Sequence, residues 1–170
     1  MSLMAQEEEV IVTIDLGRQH LQLRQGRRCL FEAAVSTAAN GPGERLGSEC
    51  TPRGWHVIRA RIGAGCAENT VFVARRPSGE IHTPALSRKF PRRDWILTRI
   101  LWLSGLEPGR NRLGAVDTMR RYIYIHGSPD DVPMGVPGSH GCIRMRNRDV
   151  MILFDLVRAG TRVLISGENP

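Results

Sequence analysis

The chain has 170 residues, 41% of them apolar and 24% charged, and its 24 Lys and Arg outnumber 17 Asp and Glu to give a net charge of +7. This length fits one domain with a sizeable core, and the composition argues against disordered, collagen-like and coiled-coil proteins. No apolar run approaches the roughly 20 residues of a membrane-spanning helix, so we predict a globular protein that does not span a membrane.

The first nine residues are predicted to be a tail. Met1 to Leu3 resemble an expression-related addition ahead of a native Met4, and Glu7 to Glu9 are acidic where an export signal would be basic and then apolar. We therefore predict a tail over 1–9, without an export signal, and one domain over 10–166. Both a cytoplasmic protein and a chain trimmed to its mature domain agree with the missing signal.

The first half of the chain consists of short apolar and alternating runs that are typical of β-strands. These runs cover 10–16, 20–24, 29–35, 55–62 and 71–74. No helical pattern separates them, which disfavours a parallel α/β fold.

Two later stretches have the spacing of apolar residues that is typical of helices. Asp94 is a plausible N-cap for a helix that ends at Gly105, and Asn147 is a plausible cap for a second helix that ends before Gly160. A last strand is predicted over 162–165.

Between these helices lies a predicted strand that leads into a loop. Residues 121–125 are aromatic and β-branched, so we expect a buried strand that ends at His126. The prolines and glycines of 127–138 predict a rigid loop. The complete pattern predicts a mainly β domain, a sandwich or partly open barrel, with one or two packed helices.

The side chains that are capable of catalytic chemistry are clustered in the sequence. His126, His140, Cys142 and Arg144 fall within nineteen positions. A thiol attacks well only as a thiolate, and a free cysteine has a pKa of about 8.5, so catalysis needs an imidazole to accept its proton. We favour His126, because it comes from a separate strand, and we expect the pair to lower the pKa of Cys142.

Two neighbours of Cys142 fit the same chemistry. Gly141 allows backbone angles that other residues resist, and it would let a substrate carbonyl approach main-chain N–H groups, as an oxyanion hole requires. Arg144 is suited to a substrate carboxylate. A zinc site formed by His126, His140 and Cys142 is a second interpretation, although no fourth ligand stands at a familiar spacing.

A known family has this pattern. His126-Gly127-Ser128 followed by Ser139-His140-Gly141-Cys142-Ile143-Arg144-Met145 resembles the signature of the YkuD-type L,D-transpeptidases, bacterial enzymes that cross-link the cell wall. Ser36-Thr37 and the segment 51–56 agree with the family, so the resemblance extends from about Val10 to Ile165. It implies a β-sandwich-like catalytic domain. The stretch Arg88 to Arg121 is longer than the family core, and we expect it to form a lid, a partner surface or a substrate wall.

The resemblance implies a role for each residue of the signature. Cys142 would be the nucleophile, His126 the base, and the Gly127 carbonyl the group that orients the imidazole. His140 would assist at the site, and the N–H groups of Gly141 and Cys142 would form the oxyanion hole. Arg144 and Ser139 would bind the substrate.

The resemblance also implies a reaction and its partners. The thiolate would attack a peptidoglycan stem tetrapeptide, form a thioester and transfer the acyl group to an amine, without a metal or other cofactor. The resemblance also implies inhibition by carbapenem-type compounds. It further implies a role in cell-wall organisation and cell shape, and a location in the periplasm or cell envelope. The first alternative is hydrolysis of the same stem peptides by an L,D-carboxypeptidase or endopeptidase. The second is an inactive wall-binding or polyanion-binding module, although scattered arginines without a recognition motif argue against nucleic acid as a partner.

Overall fold

The computed structural model describes residues 7–167, and these residues form a curled, mixed β-sheet with two helices. The predicted mainly β fold is confirmed. The predicted N-terminal addition lies outside the described residues. The strands are β1 (Val10–Asp15), β2 (His20–Gln25), β3 (Arg28–Ala34), β4 (Gly54–Ile62), β5 (Thr70–Val73), β6 (Arg76–Ile81), β7 (Leu97–Gly105), β8 (Tyr124–Ser128), β9 (Ile143–Arg146) and β10 (Arg162–Ser166), and the helices are α1 (Pro84–Lys89) and α2 (Asn147–Leu156).

The sheet has the strand order β3-β2-β1-β10-β4-β7-β5-β6, and β8 and β9 continue from β7. Two pairs are parallel, β1 with β10 and β8 with β9, and the other pairs are antiparallel. Because β10 lies between β1 and β4, it connects the first three strands to the rest of the sheet. Among the described residues, no helix has the length and apolar content needed to cross a membrane.

The predicted helix from Asp94 to Gly105 is wrong, because this stretch forms β7 in the interior of the sheet. Strand β7 pairs with β4 and with β8. A strand that is buried on both faces is apolar without alternation, so its pattern cannot be told from that of a buried helix. The left-handed Thr98 (φ 73°) and a register shift between Leu97 and Ile100 interrupt the two-residue period further.

Three further details differ from the sequence prediction. Strand β8 starts at Tyr124, so His126 lies inside the strand and not at its end. The N-cap of α2 is Arg146, which makes no side-chain capping bond, whereas Asn147 was predicted. Strand β6 and helix α1 were not predicted, because β6 is polar and exposed and α1 is only six residues long.

Helix α2 packs behind the strands that carry the candidate residues. Its Val150, Leu153 and Phe154 are buried in the main hydrophobic cluster, together with Ile125 of β8 and Ile143 of β9. The opposite face of β8 and β9 is therefore the one available for a site.

A buried polar network fixes α2 to the sheet beside His126. The Thr98 hydroxyl donates to Asn147 Oδ1 (2.6 Å), Asn147 Nδ2 donates to Asn69 Oδ1 (2.9 Å), and the Asn69 N–H donates to the Thr98 hydroxyl (3.0 Å). A Cβ at Gly127 would collide with Asn147 Oδ1 and lie 2.7 Å from the Leu97 carbonyl oxygen. Glycine at position 127 is thus required for the close packing of β8 on this network.

We expect Asn147→Ala to lower the free energy of unfolding by about 2–3 kcal/mol, because it removes the acceptor of the buried Thr98 hydroxyl and the donor to the Asn69 side chain. Urea unfolding measures this change. Arg148→Ala is the matched control, since Arg148 is exposed in the same turn, and it should change stability by less than about 0.5 kcal/mol. Similar losses in both variants would contradict the role of the network.

Candidate active site

The parallel pairing of β8 with β9 places the candidate residues on one face of the sheet. His126 is the register partner of Arg144, and Ile125 is the partner of Ile143. Paired residues point to the same face and side chains alternate along a strand, so Ile125 and Ile143 face the core. His126 and Arg144 face the opposite side, and Cys142, two residues before Arg144, points the same way.

These side chains line a cavity of about 440 Å³. Five of the seven predicted site residues line it directly, and Gly127 and Gly141 adjoin them in the chain. The other lining residues come from β8 and from three loops, namely the β5–β6 turn, the segment before β7 and the segment before β8. The predicted lining residues are His126, Ser139, His140, Cys142 and Arg144, and those that sequence reasoning missed include Arg75, Asp94, Arg121, Tyr122 and Tyr124.

The Cys142 thiol is held by main-chain groups. It donates to the Tyr122 carbonyl oxygen (3.4 Å) and accepts from the Tyr124 N–H (3.3 Å). In the part of the chain that the structure describes, neither His126 nor His140 forms a hydrogen bond with this sulfur.

The expected lowering of the Cys142 pKa is therefore wrong for this arrangement. Burial raises the pKa of Cys142 to about 12, while the Tyr124 N–H lowers it. Asp94 adds to the increase in the pKa, and Arg144 and Arg121 oppose it. The sequence predicted that an imidazole takes the thiol proton, but here the thiol keeps its proton and donates a hydrogen bond to the Tyr122 carbonyl oxygen.

His126 is buried, with 1% exposure, and its Nδ1 lies 2.6 Å from the Gly127 carbonyl oxygen. A carbonyl oxygen can only accept, so this bond requires the proton on Nδ1 and leaves Nε2 with a free lone pair. Burial lowers the pKa of His126, which keeps the ring neutral. The ring is thus in the tautomer that a general base needs.

His140 and Arg144 both lie beside Asp94. Arg144 Nη2 is 3.5 Å from Asp94 Oδ1, and His140 Nδ1 is 3.9 Å from Asp94 Oδ2. The His140 side chain is 65% exposed, whereas that of Arg144 is largely buried. Asp94 is therefore a pocket residue that balances part of the positive charge, and its predicted role as a helix cap is wrong.

The loop that carries Cys142 is braced from several directions. Gly141 has φ 130°, and a Cβ there would lie 3.1 Å from Ile123 and 3.2 Å from the Cys50 carbonyl oxygen, so glycine is required. The Ser139 hydroxyl donates to the Cys142 carbonyl oxygen (2.6 Å) and accepts from the Gly141 N–H (3.2 Å). The Thr51 hydroxyl donates to the Gly141 carbonyl oxygen (2.9 Å). Ser139 thus holds the loop, and its contact with substrate stays a prediction.

The hairpin formed by β5 and β6 provides one wall of the cavity. Its two turn residues, Ala74 and Arg75, both have positive φ, which is uncommon for residues other than glycine and asparagine. Arg75 Nη1 donates to the Tyr124 hydroxyl (3.0 Å), and its guanidinium lies 4.7 Å from the Trp102 ring centroid and 4.8 Å from that of Tyr122. Arg75 therefore attaches the hairpin tip to the pocket.

The zinc interpretation is not supported by the geometry. Across residues 7–167, no three His, Cys, Asp or Glu side chains come together as potential metal ligands. His126 is oriented by a carbonyl oxygen, and His140 lies beside Asp94.

Comparisons with known proteins agree with the fold. The family model of the YkuD L,D-transpeptidase catalytic domain matches residues 9–165. YbiS of Escherichia coli K12, named as an L,D-transpeptidase, is 46% identical over 43 residues, which are 25% of this chain and 14% of YbiS. YqjB of Bacillus subtilis, named likewise, is 44% identical over 55 residues, which are 32% of this chain and 31% of YqjB.

Solved structures show the same fold at low sequence identity. An L,D-transpeptidase from Mycobacterium smegmatis has a TM-score of 0.55 and 18% identity, and the match covers 93% of this chain and 58% of that chain. L,D-transpeptidase 3 from Mycobacterium tuberculosis, solved with a faropenem-derived adduct, has a TM-score of 0.54 and 14% identity, with 92% and 60% covered. The chain thus covers less than two thirds of these proteins.

We expect alkylation of Cys142 by iodoacetamide to accelerate continuously from pH 6 to pH 10. A raised pKa means that only a small thiolate fraction is present in this range, and this fraction increases about tenfold per pH unit. Peptide mapping by mass spectrometry measures the rate at each cysteine. Cys29 is exposed and reports whether the reagent itself remains active. A plateau at Cys142 near neutral pH would contradict the raised pKa.

Proposed function

Because this chain belongs to the YkuD family of L,D-transpeptidase catalytic domains, we propose that it is a cysteine-dependent L,D-transpeptidase that acts on peptidoglycan stem peptides. The observation that carries the proposal is the meeting of Cys142 with a buried, neutral His126 in one cavity, with the His126 tautomer fixed by the Gly127 carbonyl. This pair supplies a nucleophile and a base, as acyl transfer requires.

In the first half-reaction, the Cys142 thiol leaves the Tyr122 carbonyl and transfers its proton to His126 Nε2. The sulfur attacks the carbonyl carbon of a diamino-acid residue in the donor tetrapeptide. The C–N bond to the terminal D-amino acid then breaks, and the leaving amine takes the proton from the imidazolium. A thioester on Cys142 remains.

The negative charge on the carbonyl oxygen of this tetrahedral intermediate needs donors. The N–H groups of Cys142 and Gly141 are adjacent to the sulfur in the chain, and glycine lets the substrate approach closely. The Gly141 N–H also donates to Ser139, so the hydrogen bond to the oxyanion competes with one inside the loop.

In the second half-reaction, an amine of an acceptor stem peptide loses a proton to His126 and attacks the thioester. The C–S bond breaks, and the His126 imidazolium returns the proton to the departing sulfur, which restores the Cys142 thiol. The alternative, hydrolysis by a carboxypeptidase or endopeptidase, differs only in that water replaces the amine. Arg144 and the other cations of the cavity suit the carboxylates of a stem peptide. The proposed location is the cell envelope, as in the family.

We expect the protein to join a stem tetrapeptide to an amine acceptor with release of the terminal D-amino acid, which mass spectrometry detects. Cys142→Ala should abolish the product, whereas Cys29→Ala, at an exposed position on β3, should retain activity. Free tripeptide without transfer product would identify hydrolysis instead. No turnover, together with retained muropeptide binding, would identify an inactive wall-binding module.

Acylation by a carbapenem-type β-lactam identifies the nucleophile independently. A ring-opened adduct on Cys142 is the expected product, and intact-mass analysis followed by peptide mapping locates it. An adduct on another cysteine, or the same adduct in Cys142→Ala, would reject the assignment of Cys142.

The two histidines should differ strongly in their contribution to the rate. We expect His126→Ala to lower kcat/KM by about 10²–10⁴-fold, because it removes the base, and His140→Ala by less than about tenfold, because the His140 side chain is largely exposed. Steady-state transfer rates measure both effects, with circular dichroism as the control for folding. Equal losses would mean that the base is wrongly assigned.

A further inference from the structure

Arg121 lies in the cavity beside the nucleophile and is not part of the sequence signature. Its guanidinium donates to three neutral acceptors of one loop. Nη2 donates to the Cys50 carbonyl oxygen (2.6 Å) and the Ser48 hydroxyl (3.3 Å), and Nη1 donates to the Gly43 carbonyl oxygen (3.2 Å). These bonds fix the position of the guanidinium group.

The charge of Arg121 is not neutralised by an ion pair. Arg53 is paired with Glu44 (2.8 Å) and Arg144 with Asp94 (3.5 Å), whereas no carboxylate among residues 7–167 forms an ion pair with Arg121. Burial lowers the pKa of Arg121. A partly buried cation that binds only neutral groups is costly, so its charge is available to act on a nearby anion.

The anion that this geometry favours is the thiolate of Cys142. A Cβ at Gly141, the residue before Cys142, would lie 3.9 Å from Arg121 Nη2. The residue after Arg121 is Tyr122, which has the uncommon φ of 55° and whose carbonyl oxygen accepts the bond from the Cys142 thiol. Arg121 is thus linked to Cys142 in two ways. Its Nη2 lies close to Gly141, which precedes Cys142, and the residue after Arg121, Tyr122, binds the Cys142 thiol.

The Tyr122 carbonyl oxygen stabilises the neutral thiol only. Once the sulfur is ionised, it can no longer donate, and an oxygen acceptor facing it is unfavourable. The Tyr124 N–H and nearby cations must then compensate. Arg144 shares its charge with Asp94, and Arg75 is held at the hairpin tip by its bond to the Tyr124 hydroxyl. Among the described residues, Arg121 is therefore the cavity cation without an ion pair that lies next to the catalytic loop.

We infer that Arg121 is a positioning residue for the proposed reaction, whose fixed, unpaired guanidinium stabilises the Cys142 thiolate and the anionic intermediate formed beside Gly141. This inference rests on the proposed role of Cys142 as the nucleophile. If Arg121 only held the loop over 43–50 in place, replacing it would leave the ionisation of Cys142 unchanged.

The test is the rate of Cys142 alkylation as a function of pH in Arg121→Gln and Arg121→Lys. We expect the glutamine variant to react about tenfold more slowly at each pH. Its rate profile is then displaced by about one unit toward higher pH. The lysine variant retains the charge and should stay within about threefold of the wild type. The transfer rate, kcat/KM, should follow the same order.

Arg120→Gln is the matched control, because it removes the same charge from the adjacent, exposed residue, and it should not displace the profile. If Arg121→Gln does not fold, as judged by circular dichroism, Arg121→Met carries the same expectation. Superimposable profiles for wild type and the neutral variants would overturn the inference, as would equal displacement in Arg120→Gln. Since alkylation needs no peptide substrate, failure of the proposed function would appear separately, as a lack of transfer product.

Discussion

The parallel pairing of β8 with β9 is the constraint on which the candidate site depends. One ladder directs Ile125 and Ile143 into the core and His126 and Arg144 into the cavity, so burial of the apolar pair also sets the position of the polar pair. A shift by one residue would exchange the two faces of a strand and place an imidazole in the hydrophobic cluster. The energetic cost of that exchange therefore helps to specify the register.

The second feature of the site is that its reactive groups rest in neutral form. The thiol and the imidazole each bind a main-chain carbonyl, at Tyr122 and at Gly127, and burial shifts the pKa of each in the direction that disfavours charge. An ion pair in such a poorly solvated place would need compensation for the lost hydration. The proton therefore has to move during the reaction, when substrate replaces the carbonyl contacts, and the fixed charges around the cavity determine how readily it moves.

Much of this organisation is predictable from the sequence, and the failures have physical causes. A strand with one buried face, such as β2, shows clear alternation of apolar and polar residues, and the cluster from His126 to Arg144 is contiguous enough to indicate a thiol site. The double burial of β7 removes its periodicity, which led to the wrong helix and to the wrong role for Asp94. Arg121 could not be found in this way, because its importance comes from the Gly43–Cys50 loop that holds it, and only the folded chain brings that loop to Cys142.

The position of β10 has a consequence for how the domain assembles. It is the last strand of the described chain, yet it lies between β1 and β4 and completes the sheet. During synthesis on the ribosome, the nucleophile loop emerges before the strand that unites the two parts. Nascent chains that end ahead of Arg162 therefore contain every catalytic candidate but expose two unpaired strand edges, at β1 and at β4, which are surfaces prone to wrong association. Synthesis of β10 and closure of the sheet are thus coupled in this topology.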